Sequence, residues 1–440
     1  MNPDPLRMLV DHQNAGKSTG IYSICSSNRY VIEAALLQAK ADSSAVLIEP
    51  TVNQVNQFGG YTGMTPGQFI SKVRKIARDM DFPFTRVIFG GDHLGPNPWK
   101  NEPVESAMAK SAILVKDYVE NGFKKIHLDT SVRCADDSGD PRAPMDDELV
   151  AERAARLCQI VEETHQRVRS HEIPPVYVIG TEVPIPGGAT GVQDEIIPTG
   201  RTSIQKTIEI TKQTFLDRDL EDAWDRVIAV VVQPGVEFGD SAVHEYNRSK
   251  TKDLVKFIER MRGMVFEAHS TDYQTESKLR ELVEDHFAIL KVGPWLTFAF
   301  REAIFALAMM EEEWLGPKKG VALSGIRAAL ERVMLENTRY WEKHYQGNHL
   351  ERQFARKYSY SDRARYYWQN NRVQQSLERL FDNLSSHVLP NTLLSQFLPN
   401  QYEAIRSGSI TSIPMELVHH KILEVTKKYS SATQFKTLFR

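Results

Sequence analysis

The 440-residue sequence predicts an α/β protein: a (β/α)8 barrel with a helical C-terminal extension. Three observations carry this prediction. Eight short apolar, β-branched runs recur along the first three hundred residues, stretches with helical periodicity separate them, and each run ends abruptly in polar residues. Near-continuous apolar strands alternating with helices indicate a parallel sheet buried on both faces, and eight such units suit closure into a barrel of about 250 residues or somewhat more. A doubly wound open sheet is the alternative.

The runs are GIYSICSS from 20, AVLIEP from 45, RVIFGGDH from 86, KIHLDTS from 125, VYVIGTEVP from 176, RVIAVVVQPG from 226, MVFEAHSTD from 264 and FAILKVGP from 287. Between them, segments such as ESAMAKSAILVKDYVENGF and DDELVAERAARLCQIVEETHQRV repeat apolar residues three and four apart, as crossover helices do. The alternation stops at LGPKKG, so the sequence divides into a barrel domain over 1–318 and a helical region over 319–440. The tail carries aromatic-rich stretches, TRYWEKHYQ and YSYSDRARYYWQ.

Composition narrows the partners. A net charge of -3 and a pI near 6.5 give no electrostatic reason to expect nucleic acid or an anionic membrane, so a small ligand is expected. Cys25, Cys134 and Cys158 are too widely spaced for a disulfide framework or a paired zinc motif, which fits a reducing cytoplasm. Neither a signal peptide nor a run of roughly 20 apolar residues is present, so a cytoplasmic protein is expected.

In a barrel of this kind the active site lies at the C-terminal ends of the strands. There the sequence places Glu49, then Asp92 with His93, Asp129, Glu182, Glu267 with His269 and Asp272, and Lys291. Two imidazoles and several carboxylates converging on one mouth suit a divalent metal of the zinc or manganese kind, with a carboxylate left over for acid-base work. His127 falls within a strand, two residues before Asp129, and shares that residue's side only if the strand is regular; a hydrogen-bonded interior histidine and a site residue are equally open readings, and it is left out of the site. The glycines of GGDHLGPN and EVPIPGGATG could admit a phosphate to backbone N-H groups or merely serve tight turns. Two motifs fail. Gly16, Lys17 and Ser18 imitate the end of a phosphate loop, but Asp11 stands where glycine is required and the segment precedes a strand. No GxGxxG follows any strand, so a nicotinamide cofactor has no support.

The strings NQVNQFGGYTGMTP (53–66), GGDHLGPN (90–97), KIHLDTS (125–131), GTEVPIPGG (180–188), VVQPGVEF (231–238), EAHSTDYQT (267–275), HFAILKVGP (286–294) and YSYSDRARYYW (358–368) closely resemble the family named for the accessory Z subunit of bacterial tagatose-bisphosphate aldolase. The resemblance runs nearly end to end. It implies a barrel protein of hexitol and ketose-phosphate catabolism, acting on a sugar phosphate, expected as a homo-oligomer. Within that family some members resemble non-catalytic partners of a class II aldolase subunit and others D-tagatose 6-phosphate 4-epimerases. Kinase labels in the family conflict with the failed phosphate loop here.

Chemistry favours the epimerase. The hydrogen on C4 of a 2-ketose is not adjacent to the carbonyl, so inversion there requires C3–C4 cleavage. Retro-aldol cleavage leaves an enediolate that a divalent metal can stabilise while the aldehyde half rotates. The resulting expectations are His93 and His269 as metal ligands with Glu182, zinc first and manganese or magnesium as alternatives. Asp92 and Asp129 are the expected proton-transfer groups, Glu49 and Glu267 stand-ins for either role, and Lys291, Gly187, Gly188 and Arg363 the phosphate contacts.

Overall fold

Residues 4–140, 144–180 and 196–439 are described by the structure, a computed structural model. Each of the eight apolar runs contains a strand: β1 (Ile21–Ile24), β2 (Val46–Ile48), β3 (Val87–Leu94), β4 (Lys125–Leu128), β5 (Val176–Ile179), β6 (Val227–Val232), β7 (Val265–Ala268) and β8 (Phe287–Val292). They pair in parallel in the order β1-β8-β7-β6-β5-β4-β3-β2 and close into a barrel, as the sequence predicts. Helices follow the strands: α2 (Arg29–Asp42) after β1, α3 (Pro66–Asp79), α4 (Val104–Glu120), α5 (Asp147–Val168), α6 (Arg201–Leu216), α7 (Lys252–Ile258), α8 (Glu276–Glu284) and α9 (Pro294–Leu315), with α1 (Pro5–Asn14) preceding β1. Their starts are chemically marked. The Asn28 side chain accepts the Tyr30 amide, Thr65 and Gln68 form a reciprocal capping box, and Pro294 opens α9. A short hairpin, Glu237–Phe238 with Val243–His244, lies outside the barrel and was not anticipated.

Alternation sorts the strand residues by face. Outward residues join the core under the helices. Inward residues at the N-terminal end, including Ile21, Leu47, Val176, Val178, Val265 and Ile289, form a second apolar cluster that α1 seals with Leu6, Leu9 and Val10. Two residues further along the same faces the interior turns polar: Ser23, Glu49, Glu267 and Lys291 succeed Ile21, Leu47, Val265 and Ile289, and β4 is polar at both levels with Lys125 and His127. The barrel is therefore filled by an apolar floor with an ionic layer above it.

The sequence division at 318 marks a change of element type, yet core residues on both sides of it, such as Phe300, Leu330, Trp368 and Leu417, belong to one continuous cluster. The final helix, Pro414–Thr433, packs against α2, α8, α9 and β1, the place in the outer ring where a helix following β8 would normally lie. It is fastened there by the Tyr429 hydroxyl on the Thr271 carbonyl (2.8 Å) and by His419 on Glu33 (2.8 Å). α9 is thereby covered on most sides, which accounts for its largely apolar circumference. Among the described residues no helix is long and apolar enough to cross a membrane.

Candidate metal centre

Asp92 and His93 are consecutive on β3, where simple alternation would send them to opposite faces. The register of β3 against β4 shifts between Gly91 and Leu94, and His93 adopts a left-handed backbone with φ of 53°, an uncommon state for a residue with a Cβ. Both side chains consequently face the barrel mouth, where each is only 2% exposed. Glycine at 90 is also required, because a Cβ there would lie 2.4 Å from Glu49 Oε1.

Three imidazoles meet at this point. The ring centroids of His93, His127 and His269 are 4.9 to 5.3 Å apart, supplied by the ends of β3, β4 and β7. His127, left out of the site on sequence grounds, stands at the centre of the cluster, because β4 is regular and Lys125, His127 and Asp129 share its inward face. Ligand atoms of Asp92, His127, Glu267 and His269 lie within 4.8 Å of one another, so this cluster could hold a metal ion.

Each imidazole has a carboxylate on one nitrogen. His93 Nδ1 is 2.7 Å from Asp129 Oδ2, His127 Nδ1 is 3.0 Å from Asp92 Oδ1, and His269 Nε2 is 3.0 Å from Glu267 Oε1. A carboxylate oxygen at such a distance needs a donor, so the opposite nitrogen keeps its lone pair. The His93 amide also approaches His127 Nδ1, at 3.2 Å, but the shorter contact to an anion fixes the tautomer. His127 Nε2 is buried with no hydrogen-bond partner. An orphaned acceptor in such a place costs about 1–3 kcal/mol, which a coordinated cation would remove.

Below the imidazoles lies a sealed ionic layer. Lys125, fully buried, bridges Glu49 (2.8 Å) and Glu267 (2.6 Å), themselves fully buried. Lys291 reaches Glu49 and Asp92, both at 3.0 Å, and Ser23 donates to Glu49. Burial would raise the carboxyls of Asp92 and Glu267, but Lys291 beside both, Lys125 beside Glu267 and the neighbouring histidines hold them well below the usual range. Lys291 is held well above its usual range, since Asp92, Glu49 and Glu267 outweigh its desolvation. Burial pushes His269 down to about 4, leaving it neutral at pH 7, whereas the charges of Asp92 and Asp129 overcome burial and raise His93. Among the described residues Glu49, Asp92 and Glu267 share two ammonium groups, Lys125 and Lys291, while Asp129 is paired with His93. The group that could hold a metal ion comprises two imidazoles and two carboxylates, His127 and His269 with Asp92 and Glu267.

Asp92, His93, His269 and Lys291 line a cavity at the mouth together with Cys25, Asn53, Gln54, Tyr61, Asp272 and Arg365. Burial pushes the Cys25 thiol well above its usual range, so it is a poor nucleophile. Asp272 spends Oδ1 on the amides of Gly293 (3.0 Å) and Trp295 (2.8 Å), and burial pushes its carboxyl up to about 6. Of the residues expected from sequence, Asp92, His93, His269 and Lys291 meet on the cavity wall, and Glu267 stands just behind it. Glu49 lies beneath, in the ionic layer. Asp129 is turned to His93 and Ser131. Arg363 is off the wall, because its guanidinium donates to the Tyr340 carbonyl (2.9 Å), and the tail arginine at the cavity is Arg365. Glu182, Gly187 and Gly188 lie outside the described residues. Sequence reasoning missed His127, Lys125 and Arg365. Spacing by two along β4 was the available signal for the first pair, and none distinguished Arg365 from Arg363.

A family model described as D-tagatose-1,6-bisphosphate aldolase subunit GatZ/KbaZ-like matches residues 6–434. The chain is similar to a crystal structure from Sinorhizobium meliloti described as a probable tagatose 6 phosphate kinase, with 41% identity and a TM-score of 0.85 over 94% of this chain and 100% of that one. Weaker likenesses are the YdjI aldolase of Escherichia coli (10% identity, TM-score 0.40, 88% and 100% covered) and a fructose-bisphosphate aldolase of Campylobacter jejuni (13%, 0.41, 86% and 94%).

Proposed function

Because the chain belongs to the D-tagatose-1,6-bisphosphate aldolase subunit GatZ/KbaZ-like family, we propose that it is a metal-dependent ketose-phosphate 4-epimerase, interconverting D-tagatose 6-phosphate and D-fructose 6-phosphate. The observation that carries this reading is the convergence of three carboxylate-oriented imidazoles at the barrel mouth, His93 and His269 on the cavity wall and His127 buried behind them with an orphaned nitrogen. A surface used only for association has no physical reason to retain a buried cluster of imidazoles and carboxylates beside a cavity.

His127 and His269 would hold the cation with Asp92 and Glu267, whose ligand atoms converge, and His93 would stand beside them as a third imidazole ligand. When bound, the cation supplies Lewis-acid stabilisation of negative charge on the ketone half of the substrate. The residues of the chain do the rest. A base takes the proton of the C4 hydroxyl, the C3–C4 pair moves onto the C2 carbonyl to give an enediolate, and an aldehyde forms at C4. The aldehyde turns its other face, C3 attacks again, and the proton returns to the C4 oxygen, with no net change in oxidation state. Among the sequence candidates Asp92 is the carboxylate that both lines the cavity and adjoins the imidazoles, which places it by geometry for this proton transfer, while Lys291 and the histidines, holding its carboxyl well below the usual range, make it a weak base. Asp272, with its raised carboxyl, is a second group on the same wall. Asp129 acts through His93, fixing its ring and tautomer. Asp129→Asn is expected to leave the fold intact and to weaken zinc or manganese binding by roughly 10- to 100-fold, read by competition with a chelator.

The test is to incubate the purified chain alone with D-tagatose 6-phosphate, with and without chelator, and assay D-fructose 6-phosphate. Chelator-sensitive conversion is expected. No conversion with zinc, manganese or magnesium added would favour the second reading, suggested by the word subunit in the family description: a partner that stabilises a separate class II aldolase chain.

A further inference from the structure

We propose that Arg365, delivered by the C-terminal segment and not by the barrel, is the phosphate-binding residue of this site and makes the tail its determinant of phosphorylated over free sugar. This rests on the sugar-phosphate reading above. The cavity has two cationic side chains other than histidine on its described wall, Lys291 and Arg365. Lys291 is consumed by Glu49, Asp92 and Glu267. Arg365 has no carboxylate within ion-pair distance among the described residues. Its Nη1 donates to the carbonyls of Ser361 and Asp362, and its Nη2 donates to the Tyr366 hydroxyl at 3.0 Å. The two carboxylates nearest in charge are engaged elsewhere: Asp362 accepts from Thr297 (2.5 Å) and faces Arg301 (3.5 Å), while Asp272 Oδ1 takes the Gly293 and Trp295 amides. A guanidinium without a counter-ion in a recess calls for an anion, and its planar fork suits phosphate.

The segment is held rigidly for this task. Ser359 and Ser361 donate to Asp240 (2.8 and 3.3 Å), the Tyr360 amide donates to the Asp240 carbonyl, and Tyr273 donates to the Tyr360 carbonyl (2.6 Å). The guanidinium lies over the Tyr366 ring, 4.5 Å from its centroid, and that ring stacks on Tyr340. Positioning is therefore complete before ligand arrives, so little ordering is left to oppose binding. Arg363, two residues away, is spent on a backbone carbonyl and adds field without contact.

The experiment titrates the metal-loaded full chain with D-fructose 6-phosphate and with D-fructose by calorimetry, for wild type, Arg365→Met and Arg365→Lys, with thermal melts and metal content as controls. Wild type should bind the phosphate ester about 100-fold more tightly than the free sugar, and Arg365→Met should lose most of that preference while its affinity for D-fructose and its metal stay unchanged. Arg365→Lys should recover part of it, and carries the test should the methionine variant not fold. In the epimerase assay the loss should appear in KM more than in kcat. Equal affinity of Arg365→Met and wild type for D-fructose 6-phosphate, or no preference for the ester in wild type, overturns the assignment. An Arg365-dependent preference without conversion of D-tagatose 6-phosphate supports the phosphate site and sinks the epimerase; conversion with KM unmoved by Arg365→Met does the reverse.

Discussion

Replacing His127 with alanine is expected to abolish metal binding and epimerisation together, with turnover down by at least about 100-fold and the fold retained. The fold should survive because Nε2 of this side chain has no protein partner to lose, and Asp92 keeps its ion pair with Lys291 when the imidazole is gone. The activity should not, because His127 is one of three rings within 5.3 Å of one another and a member of the group whose ligand atoms converge. The same outcome is expected for His93→Ala and His269→Ala. Metal content by mass spectrometry, alongside a thermal melt, separates loss of the ion from loss of structure. A variant that kept stoichiometric metal and full turnover would remove His127 from the site.

Lys125→Met should be the most destabilising substitution in the barrel interior, by about 3–5 kcal/mol, because it leaves Glu49 and Glu267 facing each other without their shared counter-ion at zero exposure. Lys291 remains, but it is also the partner of Asp92. The effect has a definite pH dependence. Burial opposes ionisation of Glu267, and Lys125 and Lys291 overcome it to depress its carboxyl well below the ordinary 4.5. A depressed carboxyl contributes stability that is complete above the unfolded value and lost as pH falls through the folded one. The gap between wild type and variant should therefore be widest near pH 7 and narrow below about pH 4.5, as the wild type surrenders what the variant never had. Urea denaturation at several pH values measures this. Adding Glu49→Gln to Lys125→Met should recover part of the loss, since the two residues are in contact and their effects cannot add. A gap that stayed constant from pH 7 down to about pH 3 would mean that packing, not charge, sets the cost.

The amino-acid sequence by itself determined the barrel. Eight β-branched runs, punctuated by caps such as Asn28 and Thr65, specify strands and helices locally, and polar residues ending the runs marked the mouth where Asp92, His93, His269 and Lys291 meet. These features are local, since periodicity and capping act within a few residues. What the tertiary structure alone decided depends on closure. His127 becomes a central ligand candidate because the closed barrel gives β4 an inside, and Lys125 becomes the counter-ion of Glu49 and Glu267 only when strands far apart in sequence bring those carboxylates around it. Asp92 and His93 share a face through a left-handed residue that no alternation rule forecasts. The tail reads as an appendage in sequence, yet its last helix fills the ring beside β1, and one turn of 3-10 helix decides that Arg365, and not Arg363, faces the cavity. Side-chain type is written in the chain, whereas the direction in which a side chain points, and the charges it meets there, are set by packing between distant segments.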